Sequence, residues 1–245
     1  MQEYKGILKS AVDRTLDGVG TFLSSVCLPA SQEFGLMLQD KVRTWRLNNI
    51  IHVLEKTEGK LMFHDEKLQL QANPKVALSI LENASMVDDE TLQDWWAGLF
   101  ASACTNDGKD DQNLIFVNLL KELTVFEVKL LSYCCIACTK NIFPNKLIIA
   151  NDDLRLSVDE IARITGVNDI RRIDREIDHM VSIGLFSNGF VNISGFVVDE
   201  EQVEARVTPS ALALNLYYKA NSVNSTPEEF WGDSLKEYNG VKRSI

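Results

Sequence analysis

Through the first part of the chain, apolar residues return at helical intervals. Leu8, Val12, Thr15, Val19, Phe22 and Val26 alternate in steps of four and three, the spacing of a helix seam laid along a partner helix. Pro29 is expected to end that helix. A second helix is predicted over residues 31–60, with Phe34, Leu38, Val42 and Trp45 on one face and Leu47, Ile50, Ile51 and Leu54 drifting to another. Residues 61–74 mix short apolar patches with polar residues and read as a connector, followed by a shorter helix over 75–83. Next comes E-T-L-Q-D-W-W-A-G-L-F-A-S-A, with two tryptophans side by side behind a run of acids. Ser85 and Asp88 have the spacing of a capping box, and Asp88, Asp89 and Glu90 suit the positive end of a helix dipole. On a helical wheel Leu92, Trp95, Trp96, Leu99, Phe100 and Ala103 share one broad arc, so the tryptophans read as core. Ala97, Gly98, Ala101 and Ser102 fall opposite, small enough to let another helix approach closely.

Residues 104–113, C-T-N-D-G-K-D-D-Q-N, carry every turn signal. Asp107, Asp110 and Asp111 lack the paired spacing and closing Glu of a helix-loop-helix calcium site. A helix resumes over 114–123, and Thr124 with Glu127 forms a second capping box ahead of a helix over 125–139. Cys134 and Cys138 share a face of that helix, as half of a zinc site would. Nothing supplies the other half, since Cys104 stands alone and His52, His64 and His179 are scattered. The expectation is buried thiols behaving as small hydrophobes, with no metal and no cofactor.

Past Pro144 the pattern changes. Ser157 and Glu160 make a third capping box, Ile161 and Ile164 give a short apolar face, and Gly166 stops the helix. A second helix begins four residues later behind Asn168, with Ile170, Ile173, Ile177, Met180 and Val181 as its buried stripe. Two helices joined by a tight glycine-containing turn are a helix-turn-helix signature. F-V-N-I-S-G-F-V-V, an acidic turn at Asp199 to Glu201 and Q-V-E-A-R-V-T then read as a β-hairpin, and Thr208-Pro209 opens a last helix. This is the order of a winged-helix domain. The fold class expected is mainly α: an N-terminal helical bundle, residues 1–143, followed by a winged helix-turn-helix (α+β) domain, residues 144–223, and a C-terminal tail, 224–245.

Composition narrows the functional classes. The chain has 245 residues, 45% apolar and 24% charged, which suits two folded domains rather than disorder. Five cysteines without framework spacing point to reduced thiols and a cytoplasmic home. The opening M-Q-E-Y-K-G-I-L-K-S lacks the apolar core of a secretory signal. The uncharged run over residues 18–32 contains Pro29 and falls short of the roughly 20 residues that span a bilayer, so no transmembrane segment is expected.

The net charge of −10 is spread over both halves, with 10 basic against 16 acidic residues beyond Ala150. Arg171, Arg172 and Arg175, with His179 beside them, could reach a nucleic acid from the second helix of the helix-turn-helix. Asp169, Asp174, Glu176 and Asp178 are interleaved with them, so a protein partner is favoured over DNA. In the first domain Lys41, Arg43 and Arg46 cluster around Trp45, either as a solvated face or as a phosphate contact. There is no phosphate loop and no identifiable Ser/His/Asp or Cys/His arrangement.

One resemblance adds to this. G-L-M-L-Q-D-K-V-R-T-W-R-L-N-N, I-L-E-N-A-S-M-V-D-D-E-T-L-Q-D-W-W-A-G-L-F-A-S-A and F-V-N-L-L-K-E-L-T-V-F-E-V-K-L-L are similar to segments of the Abi-alpha (abortive infection alpha) family of bacterial proteins. Asp88-Asp89, Leu92-Gln93, Trp96-Ala97 and Leu99 carry the likeness, over about residues 29–139; Trp95 stands where the family pattern has a polar residue. The resemblance implies a part in phage defence and brings no catalytic residues. The function expected is therefore a non-enzymatic defence or regulatory protein that docks a protein partner, with a homo-oligomer left open. The alternatives are a DNA-binding regulator and a membrane-active effector inserting residues 18–28.

Overall fold

The computed structural model describes residues 18–37, 44–62, 70–190, 204–223 and 225–237, and the protein is mainly helical with three small sheets among them. It divides into two compact units, Met1–Glu122 with Lys219–Asn224, and Leu123–Tyr218 with Ser225–Ile245.

In the first unit α1 is described over residues 18–26, followed by α2 (Leu28–Met37), α3 (Thr44–Met62), β1 (Gln71–Ala72), α4 (Pro74–Ala84), α5 (Glu90–Ala103), β2 (Cys104–Thr105) and α6 (Asn113–Leu120). Val19 and Val26 of the predicted seam are buried and Phe22 is half-buried, while Leu23, which the spacing leaves out, is fully enclosed; Leu8, Val12 and Thr15 lie outside the described residues. Pro29 sits in the first turn of α2 instead of ending a helix, and Pro74 likewise opens α4. A proline there removes only an N–H that has no intrahelical acceptor.

The core of this unit is α5, which packs chiefly on α3 and also on α4 and α6. Trp95 and Trp96 are 3% and 1% exposed, as the shared arc predicts, and Phe100 and Leu99 are fully enclosed. The cap differs from expectation. Asp89, not Ser85, starts α5, its Oδ1 accepting from the N–H groups of Thr91 and Leu92 at 2.9 and 3.1 Å. Ser85 instead ends α4, its hydroxyl taken up by a distant side chain described below. Opposite the tryptophans, Gly98 meets the backbone of Ala220 so closely that an added Cβ would lie 1.6 Å from the Ala220 carbonyl oxygen.

The second unit contains α7 (Val125–Ala137), β3 (Lys140–Ile142), β4 (Ile148–Ala150), β5 (Leu154–Ser157), α8 (Val158–Thr165), α9 (Ile170–Ser182) and β6 (Glu204–Val207). Then come α10 (Ala211–Asn221), whose last residues belong to the first unit, α11 (Pro227–Trp231), a 3₁₀ turn (Gly232–Ser234) and β7 (Leu235–Glu237). Both capping boxes expected here are present, Thr124 with Glu127 and Ser157 with Glu160, and Gly166 closes α8 at φ 81°. The cap of α9 is Asp169 rather than Asn168. α10 starts two residues after Pro209, with Ser210 Oγ accepting from the Ala213 N–H at 3.1 Å.

β5 pairs antiparallel with β6, and Phe190 bridges Ala205 from the other side. Residues 191–203, most of the predicted hairpin, lie outside the described residues. In the second sheet β3 is central, antiparallel to β4 and parallel to β7.

Candidate functional site

α9 is held by an apolar stripe of Ile173, Ile177 and Met180, all buried. At 3.6 residues per turn, Arg172, Glu176 and His179 follow one flank of the helix, and Arg171, Arg175 and Asp178 fall opposite the stripe. These two groups behave differently.

The flank is taken up by the start of α7. Arg172 Nε donates to Glu176 Oε1 at 3.0 Å, and Glu176 Oε2 accepts from the Thr124 hydroxyl. Thr124 is also the N-cap of α7, its N–H donating to Glu127 Oε2 at 2.8 Å. The other oxygen of Glu127 shares a hydrogen bond of 2.6 Å with His179 Nδ1. Glu127 is fully buried, and desolvation holds its carboxyl above the ordinary range against the opposing pull of the Thr124 N–H and of His179. Sequence spacing reveals the Thr124–Glu127 box but not that Glu127 serves two helices, because His179 is 52 residues away.

The opposite face is exposed among the described residues. Arg171 and Arg175 are exposed and form no ion pair among the described residues, and Asp174 and Asp178 are exposed around them. Of the four candidates on this helix, therefore, Arg172 and His179 are tied into the α7 network and Arg171 and Arg175 face outward.

The basic cluster of the first unit is only partly described. Lys41 and Arg43 lie outside the described residues. Arg46 donates from Nε and Nη2 to Ser85 Oγ at 2.9 and 2.7 Å, while Asn49 Nδ2 donates to the Ser85 carbonyl at 3.0 Å. The guanidinium thus joins α3 to the end of α4, with two nitrogens committed there. Trp45 is 49% exposed, not the core aromatic its spacing suggests.

The five cysteines are free and buried. Burial pushes the Cys104 thiol up to about 12 and raises Cys134 and Cys135 as well. Among the described residues no group of three or more His, Cys, Asp or Glu is placed to hold a metal. Asp107 and Asp110 accept from the backbone N–H groups of Lys109 and Gln112, an ordinary turn arrangement. No described helix is long and apolar enough to cross a membrane.

Comparison with curated proteins and with solved structures gives no match. A family model does match, and it extends well beyond the resemblance seen in the first half, through α7, α8, α9 and α10. The match covers residues 46–226, and the chain belongs to the abortive infection alpha family.

Proposed function

We propose that this protein acts in the cytoplasm in abortive infection, a form of phage defence, as a non-enzymatic interaction protein. In this reading its second unit is a winged-helix-like module that docks a protein partner through the outer face of α9. The observation that carries the reading is the division of labour on α9. Thr124 and Glu127 absorb Arg172, Glu176 and His179, which leaves Arg171 and Arg175 exposed among Asp174 and Asp178. A face of alternating sign suits a partner with complementary alternating charge. It suits the uniformly negative backbone of DNA poorly, because few counterions would be released. The order β5, α8, α9, Phe190 bridge and β6 supports the winged-helix-like reading. Family membership supports the phage-defence setting.

The test compares the wild type with Arg171→Ala/Arg175→Ala. In affinity capture from phage-infected cells, the double variant is expected to lose a partner retained by the wild type. In titrations with random duplex DNA at two salt concentrations, both proteins should bind weakly. Sequence-selective DNA binding of roughly 10⁻⁸ M or tighter, with a steep salt dependence that flattens in the variant, would replace this reading with that of a regulator.

A further inference from the structure

A lysine amine is seldom enclosed without a carboxylate beside it. Lys140, at the start of β3, is fully buried. Its Nζ donates to the Cys138 carbonyl at 2.9 Å and lies 4.4 Å from the centroid of the Trp231 ring, and it forms no ion pair among the described residues. One carbonyl, the Cys138 sulfur beside it and one ring face return only part of the hydration the ammonium gives up. The remainder acts against whatever closes over the amine.

What closes over it is residues 226–237. Trp231 covers the amine, and β7 extends the sheet along β3, pairing Lys140 with Leu235 and Ile142 with Glu237 in parallel. The closure is mostly aromatic. Trp231 stacks on Tyr217 at 5.6 Å between centroids and meets Phe230 edge-on at 4.8 Å, and Phe230 packs against Tyr218 at 5.4 Å. The segment carries its own local structure, a capping box of Thr226 with Glu229 and a turn at Gly232 with φ 43°. Its ion pair, Glu228 to Lys146 at 3.7 Å, is solvent-exposed on the lysine side and so adds little.

We propose that residues 226–237 are a displaceable strap occupying, in cis, an acceptor edge for a partner strand. When the strap lifts, the edge of β3 and the Lys140 amine are bared. An extended segment of a partner protein then takes its place in parallel, presenting an aromatic ring four residues ahead of an apolar strand residue, as Trp231 stands to Leu235. Rehydration of the Lys140 charge favours opening; the aromatic contacts and the three-residue β7 favour closure. This site is separate from α9, and it stands or falls independently of the docking reading above.

The experiment uses the full chain. Hydrogen exchange is followed at residues 140–142 and 235–237, with the buried part of α7 as reference, and Lys140 is probed with an amine-acetylating reagent. In the wild type the strap amides are expected to exchange at least about tenfold faster than those of α7, the signature of local opening. Lys140→Met removes the buried charge without emptying the site and should slow that exchange. Trp231→Ala should speed it and raise acetylation of Lys140 about tenfold or more. A fluorescent peptide of residues 226–237 should bind the Trp231→Ala protein but bind the wild type poorly, because the tethered strap competes at high effective concentration. The same peptide with Ala for Trp should not bind.

Strap amides that exchange only with α7 would overturn the proposal, as would faster exchange in Lys140→Met. So would a Trp231→Ala protein with native helical content that leaves Lys140 protected or fails to take up the peptide. If Trp231→Ala does not fold, the wild type and Lys140→Met decide the question alone.

Discussion

At Gly98 a hydrogen stands where any side chain would run into the Ala220 carbonyl. Backbone rather than a flexible side chain is the obstacle, so Gly98→Ala cannot be relieved by a rotamer change. It should destabilise the first unit by at least the roughly 1–3 kcal/mol typical of overpacking, read as a shift in the denaturation midpoint. On the other side of α5, Trp96→Ala leaves a large void and should cost about 3–5 kcal/mol. A Trp96→Ala protein with unchanged melting would move the ring from core to surface. The thiols give a third check. The thiolate is the reacting species, and burial raises the pKa of all five cysteines. Native protein at pH 8 should therefore resist alkylation at each of them and react only on unfolding; rapid labelling of the native state would contradict their burial.

Among the helices, α7 and α9 are joined through one carboxylate whose pKa is raised by burial. Glu127 is thus easier to accommodate protonated than ionised. Its contribution is fully present below its ordinary value of 4.5 and is lost as pH rises through the higher folded value. Glu127→Gln keeps the shape and an oxygen for the Thr124 N–H while removing the charge. The variant should show a flatter dependence of melting temperature on pH from about 4.5 upward than the wild type; identical slopes would mean that Glu127 does not set the dependence.

The elements also show what is legible in a sequence. The Thr124 and Ser157 boxes and the Gly166 stop follow from residues within one turn of each other, and they are where the spacing puts them. Ser85 has the same spacing with Asp88, but Arg46, 39 residues away, takes its hydroxyl and Asp89 caps α5. β3, β4 and β7 are three residues each, too short for an alternating pattern; β4 returns beside β3 across a short turn, and β7 pairs with β3 from far downstream. No spacing in the sequence singles out Lys140, because the ring that covers it, Trp231, lies far downstream. For the candidate site, the arginines of α9 could be picked out by their charge. Which of them stay free depends on Thr124 and Glu127, which lie far upstream.

For the whole molecule, the two units are interleaved in sequence: residues 219–224 belong with the first unit although they follow most of the second. A fragment ending at Glu122 therefore lacks Ala220 and the bed it forms against Gly98. Its α5 amides are expected to exchange faster than those of the full chain. Equal protection in the fragment would show that the last turn of α10 adds nothing to that core.

The approach of Ala220 to Gly98 also has a consequence for synthesis on the ribosome. At roughly 5–20 residues per second, the second of these residues is made on the order of ten seconds after the first. The unit begun first is not complete until residues 219–224 have been made. For that interval the small-residue groove of α5 has no occupant, and nascent chains stalled between the two positions carry an open groove that a chaperone can hold.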